Sequence, residues 1–231
     1  MKYKAVLFDM DGTTLNTLGD LTDAVNHTMR TFGLPELDEN RCAHLLGNGA
    51  RHLIRGAVPE NITGEEFEKI LAFYVDYYDS HCRIKTAPYD GIIDAMNALK
   101  TQGIRMAVIS NKPDGAVQQL SEEFFTGLLD ISVGESEKVR RKPNPDAVLW
   151  SISSLGLEKQ DCVYVGDTEV DLKTAENAGI DSIAVTWGFR SVEELQAAGA
   201  KTIVSSASEL LKSCRNRLRT AVRSWETHRR K

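Results

Sequence analysis

The amino-acid sequence predicts a doubly wound α/β protein: a parallel sheet flanked by helices and interrupted after its first strand by a helical insert. Three observations predict it. An apolar run at residues 5–8 is closed by Asp and Gly, the pattern of a buried strand entering a turn. Residues 17–85 carry helical spacing and no convincing strand. From residue 91 helical and strand patterns alternate. Such alternation implies parallel pairing, because each right-handed crossover returns the chain in the same direction.

In the insert, Leu21, Val25, Thr28/Met29 and Phe32 recur at helix spacing until Gly33 and Pro35 end the element. "LLGNGARHLIRGA" reads as a glycine turn leading into a short helix. Phe67, Ile70, Leu71, Tyr74 and Tyr78 form a second apolar stripe. Downstream, Ile92, Ile93, Met96 and Leu99 mark a helix ended by Gly103, and "IRMAVIS" (104–110) is a strand. A helix after Pro113 precedes the apolar "LLDISVG", and a helix over about 144–155 precedes the strand "CVYVG" (162–166). A helix over 168–178 stops at Gly179 before the strand "IDSIAVT" (180–186). "TIV" (202–204) is a brief strand, and "SASELLKS" opens a last helix. The expected division is a core of residues 1–15 and 86–231 and an insert of residues 16–85. The crossings near 14–17 and 85–89 are polar or contain proline.

Of the 231 residues 42% are hydrophobic and 26% charged, ordinary values for a globular chain with room for a large core. The first apolar run is too short and too charged for a secretory signal, and no stretch approaches the ~20 apolar residues of a membrane span. Cys42, Cys82, Cys162 and Cys214 lie far apart with no metal-type spacing, which predicts a reduced, cytoplasmic setting and no structural zinc. The net charge of −5 is uneven. Of 28 basic and 33 acidic residues, eight and one fall from Lys212 onward, leaving 20 basic and 32 acidic in the first 211. So acidic a body argues against nucleic acid as a partner. In the tail, Leu211, Cys214, Leu218, Val222 and Trp225 form one apolar stripe, expected to pack a terminal helix on that body. The alternative is an arm for an anionic partner or a second subunit, and the sequence leaves monomer and homodimer open.

Ligands of an open parallel sheet bind beyond the carboxyl ends of its strands, so the residues that follow each strand carry the functional information. Asp9 and Asp11 follow the first strand, and the strand over 104–110 leads into Ser110, Asn111 and Lys112. Asp167, Thr168, Glu169 and Asp171 follow the strand over 162–166, and Lys142 lies in "RRKPNPD" ahead of the preceding helix. Each has an ordinary reading alone. Asp11-Gly12 makes a turn, Ser110 a capping hydroxyl, Asn144-Pro145-Asp146 a helix start, and Asp167 with Asp171 complements a helix dipole. On one rim they suit phosphoryl transfer. Close carboxylates repel unless a cation sits between them, and oxygen ligands of this kind suggest Mg²⁺. Asp9 then attacks phosphorus to form an aspartyl-phosphate, and Asp11 serves as general acid and later as base. Ser110 and Lys142 neutralise the phosphoryl oxygens.

The histidines at 27, 44, 52, 81 and 228 show no metal-binding spacing; His44 and His52 flank the glycine turn and either face a substrate or, the preferred reading, are polar surface. Gly47 and Gly49 lack a preceding strand and a third glycine, so they make no dinucleotide fingerprint. They read as a turn that offers backbone amides to a substrate. Arg51 just beyond is either a partner for a substrate carboxylate or a solvated helix charge.

"FDMDGTTLNT", "VISNKP", "RRKPNPD" and "VGDTEVDLKTAENAG" resemble, in order, the four signature motifs of the haloacid dehalogenase superfamily, over essentially the whole chain to about residue 211. The resemblance implies a Rossmann-like core with the insert as a cap that closes over the substrate. It implies Asp9 as nucleophile, Asp11 as acid/base, and Ser110 and Lys142, with Asn111 beside them, at the phosphate. It further implies Mg²⁺ held by Asp9, the Asp11 backbone carbonyl and Asp167, with Asp171 a nearby support. Within the superfamily the phosphoglycolate phosphatase group is most similar. "LLGNGARHLI" resembles its substrate loop, placing Gly47, Asn48, Gly49 and Arg51 as specificity residues, and "AVTWGFRSVEELQAAGA" resembles a stretch near its C-terminus. One departure is Asn16-Thr17, where that group usually carries Asp-Ser. The expected function is Mg²⁺-dependent hydrolysis of a small phosphorylated metabolite, 2-phosphoglycolate favoured. The alternatives are a β-phosphoglucomutase-type mutase, or a pyrophosphatase or nucleotide phosphatase of the same superfamily. A response-regulator-like switch and a non-catalytic binding protein represent other classes.

Overall fold

The structure is a computed structural model that describes residues 3–137 and 139–215. The chain enters with β1 (Ala5–Phe8) and a two-residue strand β2 (Leu15–Asn16). Four helices follow: α1 (Leu18–Thr31), α2 (Glu39–Leu45), α3 (Gly49–Ala57) and α4 (Gly64–His81). β3 (Ala87–Pro88) returns and pairs antiparallel with β2, Leu15 opposite Pro88 and Asn16 opposite Ala87. Then come α5 (Ile92–Thr101), β4 (Arg105–Pro113), α6 (Asp114–Phe125), β5 (Ile131–Glu135) and α7 (Asp146–Ser154). β6 (Cys162–Gly166), α8 (Glu169–Ala178), β7 (Asp181–Val185), α9 (Val192–Ala197), β8 (Ile203–Val204) and α10 (Ala207–Arg215) complete the described chain.

β5-β4-β1-β6-β7-β8 form a six-stranded sheet whose ladders are all parallel. Its order reverses between β1 and β6, the place where open α/β sheets bind ligands. Alternation along the strands builds a core on each face. Val6, Phe8, Met106, Val108, Val163 and Val165 point to one side, where α5, α6 and α10 pack. Ala5, Leu7, Ala107, Ile109 and Tyr164 point to the other, against α7 and α8.

Three features differ in detail from the sequence expectation. β4 runs on through Asn111 and Lys112 to Pro113, with a register irregularity after Ile109. The short α2 shows no hydrophobic period; Asp38 starts it by accepting the Arg41 N–H at 2.8 Å. The β2–β3 ribbon is too short to read from alternation. Beside the ribbon, the buried Asp20 of α1 accepts the N–H groups of Ile84 (3.0 Å), Lys85 (2.9 Å) and Thr86 (2.9 Å) and the Thr86 hydroxyl (2.8 Å). The start of α1 is thereby tied to the returning chain. Among the described residues no helix is long and apolar enough to cross a membrane. Leu218, Val222 and Trp225 of the expected terminal stripe lie outside the described residues.

Candidate active site

The turn after β1 is dictated by backbone bonding. The Asp9 N–H donates to Val165 O across the sheet at 2.8 Å, and Met10 O accepts from Thr13 (3.3 Å), Thr14 (3.0 Å) and Leu15 (2.9 Å). Gly12 has φ of 82°, and a Cβ there would run into the Asp167 carboxylate. This tight turn sets Asp9 beside the residues that follow β6.

Asp9, Asp167 and Asp171 each present an oxygen, all within 4.8 Å of one another, and all three are buried. The buried Lys142 stands among them, its Nζ 2.8 Å from Asp9 Oδ1 and 2.7 Å from Asp171 Oδ1. The other Asp171 oxygen accepts the Thr168 N–H at 3.0 Å and hydroxyl at 2.7 Å, so both its oxygens are engaged. Asp167 accepts from the Thr13 hydroxyl at 2.9 Å and the Phe189 N–H at 2.8 Å. Burial pushes Asp9 up from 3.8 to about 7; Lys142 opposes the shift, while Asp171 and Asp11 add to it. Burial raises Asp167 as well, with Asp171 and Asp9 adding repulsion. One lysine does not balance this much buried negative charge. An all-oxygen, buried carboxylate set of this kind fits a hard divalent cation.

Ser110 Oγ accepts the Lys112 N–H at 3.2 Å. The Asn111 side chain is spent on backbone: its Nδ2 donates to Gly47 O and Lys142 O, both at 3.0 Å, and its Oδ1 accepts the Lys142 N–H at 2.7 Å. Asn111 therefore holds the Lys142 segment and touches the helical segment as well. The buried Lys112 places Nζ 3.0 Å from Asp11 Oδ1 and 2.5 Å from the Tyr78 hydroxyl. A small pocket of about 40 Å³ opens over Asp9, Asp11 and Ser110 and is covered by Leu46, Gly47, Gly49, Leu53, Tyr74 and Tyr78.

The structure does not bring Asn48 or Arg51 to this pocket. The Arg51 guanidinium forms a two-pronged pair with Glu68, at 2.7 and 2.8 Å, on the exposed face of α3 and α4. The solvated-charge reading of Arg51 is the one this geometry matches. His44 and His52 are exposed.

The model of the haloacid dehalogenase-like hydrolases matches residues 6–185. The chain belongs to this family. It is 33% identical to phosphoglycolate phosphatase 1 of Pseudomonas aeruginosa over 215 residues, which cover 90% of this chain and 78% of that one. It is 32% identical to the N-acetylmuramic acid 6-phosphate phosphatase of the same organism over 214 residues, covering 91% and 94%. A crystal structure of a candidate phosphoglycolate phosphatase from Lactobacillus delbrueckii subsp. bulgaricus superposes with a TM-score of 0.89. Its identity is 40%, and the match covers 93% of this chain and 99% of that one.

Several site residues of this haloacid dehalogenase-like hydrolase escape sequence reasoning. Thr13 and the Phe189 N–H orient Asp167, and only "DGTT" hints at the first. Tyr74 and Tyr78 read as ordinary core positions of an amphipathic helix, since a stripe does not reveal which buried side chain ends at a pocket. The buried Arg190 carries no local signal, because its partners lie far away in sequence.

Proposed function

We propose that this hydrolase releases phosphate from a small phosphorylated metabolite, 2-phosphoglycolate first among them, by way of a phosphoryl group carried on Asp9. The enzyme is a phosphoric monoester hydrolase, in keeping with its family and with relatives named for phosphatase activity. One observation carries the finer reading: Asp9, Asp167 and Asp171 present oxygens within 4.8 Å of one another, with Lys142 paired to Asp9 and Asp171, where the strand order reverses.

Residues 16–85 act as the cap, with the β2–β3 ribbon as the crossing. Asp9, Asp167 and the Asp11 backbone carbonyl would hold Mg²⁺, which when bound supplies positive charge for the carboxylates and the phosphoryl oxygens. Asp171 holds the Lys142 amine through Oδ1 and Thr168 through Oδ2, and its role in this reading is to support that lysine.

The Asp9 carboxylate attacks phosphorus and the ester P–O bond breaks, while Asp11 gives a proton to the leaving oxygen. Water then attacks the aspartyl-phosphate, Asp11 takes its proton, and inorganic phosphate leaves Asp9 as a carboxylate again. Lys142 holds Asp9 Oδ1 and faces the phosphoryl charge. Ser110 Oγ already accepts an amide proton, which leaves its own O–H to donate to a phosphoryl oxygen. Leu46, Gly47, Gly49, Tyr74 and Tyr78 line the pocket over Asp9 and would shape the choice of ester. Buried thiols at Cys42, Cys82 and Cys162 support a cytoplasmic setting.

The test is phosphate release from 2-phosphoglycolate, pyrophosphate, nucleoside monophosphates, hexose phosphates and N-acetylmuramic acid 6-phosphate, with and without Mg²⁺. Metal-dependent preference for 2-phosphoglycolate supports the reading. A preference for another ester moves the substrate and keeps the chemistry; no release from any overturns both.

A further inference from the structure

We propose that Arg190 is a positioning residue that latches the carboxyl end of α2, and with it the Leu46–Gly49 turn, onto the catalytic rim. The proposal rests on the reading of residues 16–85 as a cap.

Arg190 lies between β7 and α9 and is 8% exposed. Its Nε and Nη2 meet the two oxygens of Glu169, the first residue of α8, at 2.9 and 3.2 Å. The remaining donors cross to the helical segment: Nη1 to Ala43 O at 3.2 Å and Nη2 to Leu46 O at 3.1 Å, with His44 O at 3.5 Å. A buried guanidinium needs partners for its five N–H groups, and its flat fork suits one carboxylate on one side and several carbonyls on the other. On the α2 side those partners are all backbone carbonyls. They are available to Arg190 only when that turn lies against the rim.

The latch joins two parts of the chemistry. Phe189, the residue before Arg190, fixes Asp167 through its N–H. Gly47, the residue after Leu46, is held at its carbonyl by Asn111, which also holds the Lys142 backbone. The same turn supplies Leu46, Gly47 and Gly49 to the pocket. Lowering of the turn, alignment of Lys142 and enclosure of Asp9 are thus connected by named hydrogen bonds. A latch of this kind sets the closed fraction, and apparent affinity falls in proportion to that fraction.

The experiment compares steady-state hydrolysis of 2-phosphoglycolate by the full chain with Arg190→Ala, Arg190→Lys and Glu169→Gln, with melting temperatures alongside. Arg190→Ala is expected to raise KM about tenfold or more while kcat stays within about threefold. Guanidinium ion at low millimolar concentration should recover part of the loss, since it refills the vacated fork. Arg190→Lys should fall between, because a point charge cannot bridge a carboxylate and separate carbonyls. Glu169→Gln should move KM in the same direction by less, and it stands in for Arg190→Ala should that variant fail to fold. KM unchanged in the folded variants, or a loss of kcat and melting temperature that guanidinium leaves untouched, overturns the latch. Wild-type protein that hydrolyses nothing in the panel, or Asp9→Asn that still does, overturns the functional reading instead.

Discussion

Lys142 Nζ lies 2.8 Å from Asp9 Oδ1, joining the residue after β1 to the loop before α7 inside a buried site. Asp171 anchors the same amine at 2.7 Å from the start of α8. If Asp171 serves the lysine and no metal, Asp171→Asn should lower kcat roughly 10–100-fold, as loss of an orienting partner does. The Mg²⁺ concentration for half-maximal activity should stay within about threefold. A matching loss of metal affinity would make Asp171 a ligand.

Metal binding and pH should be linked. Burial pushes Asp9 up from 3.8 to about 7, and it raises Asp167 as well. Between those values the unfolded chain has released protons that the folded site keeps. These groups therefore contribute most to stability below about pH 4, and the contribution is lost as pH rises through 7. Mg²⁺ bound by these carboxylates would displace the protons and offset the loss. The rise in melting temperature on adding Mg²⁺ is expected to be larger at pH 8 than at pH 6. An equal or smaller rise at pH 8 contradicts the linkage.

Asp20 satisfies three consecutive amides and a hydroxyl where the chain returns from the helices. Asp20→Ala would leave the buried Thr86 amide and hydroxyl unpaired and the amides of Ile84 and Lys85 without their partner. Chemical denaturation should show a loss on the order of 2–4 kcal/mol. A loss below about 0.5 kcal/mol would mean that water replaces the carboxylate without cost.

Arg51 is committed to Glu68 on the surface. Arg51→Ala should leave kcat/KM for carboxylate-bearing and uncharged esters unchanged within about twofold and cost less than about 1 kcal/mol of stability. A selective rise in KM for carboxylate esters would return Arg51 to the substrate.

The readable part of this site is the part that local physics marks. Asp9, Asp11, Ser110 and Asp167 lie at ends of apolar runs, and an open parallel sheet brings such ends to one rim. β6 is legible to the residue because "CVYVG" is apolar between charged flanks. Asn111 was legible as a rim residue, yet its amide is used on the Gly47 and Lys142 backbone, a long-range choice that no spacing records. Arg190 is hidden for the same reason. Arg51 has two balanced readings in the sequence, and its pairing with Glu68 on the next helix is a long-range contact that no spacing records. α2 and the β2–β3 ribbon are too short to carry a period.

The central claim is that the phosphoryl group passes through Asp9. Rapid acid quench of the enzyme with its best ³²P-labelled substrate and Mg²⁺, followed by peptide mapping, tests it most directly. Label is expected on the peptide containing Asp9, discharged by hydroxylamine and absent in Asp9→Asn, whose amide cannot attack phosphorus. Turnover without label, label on another peptide, or near-normal activity in Asp9→Asn would contradict it.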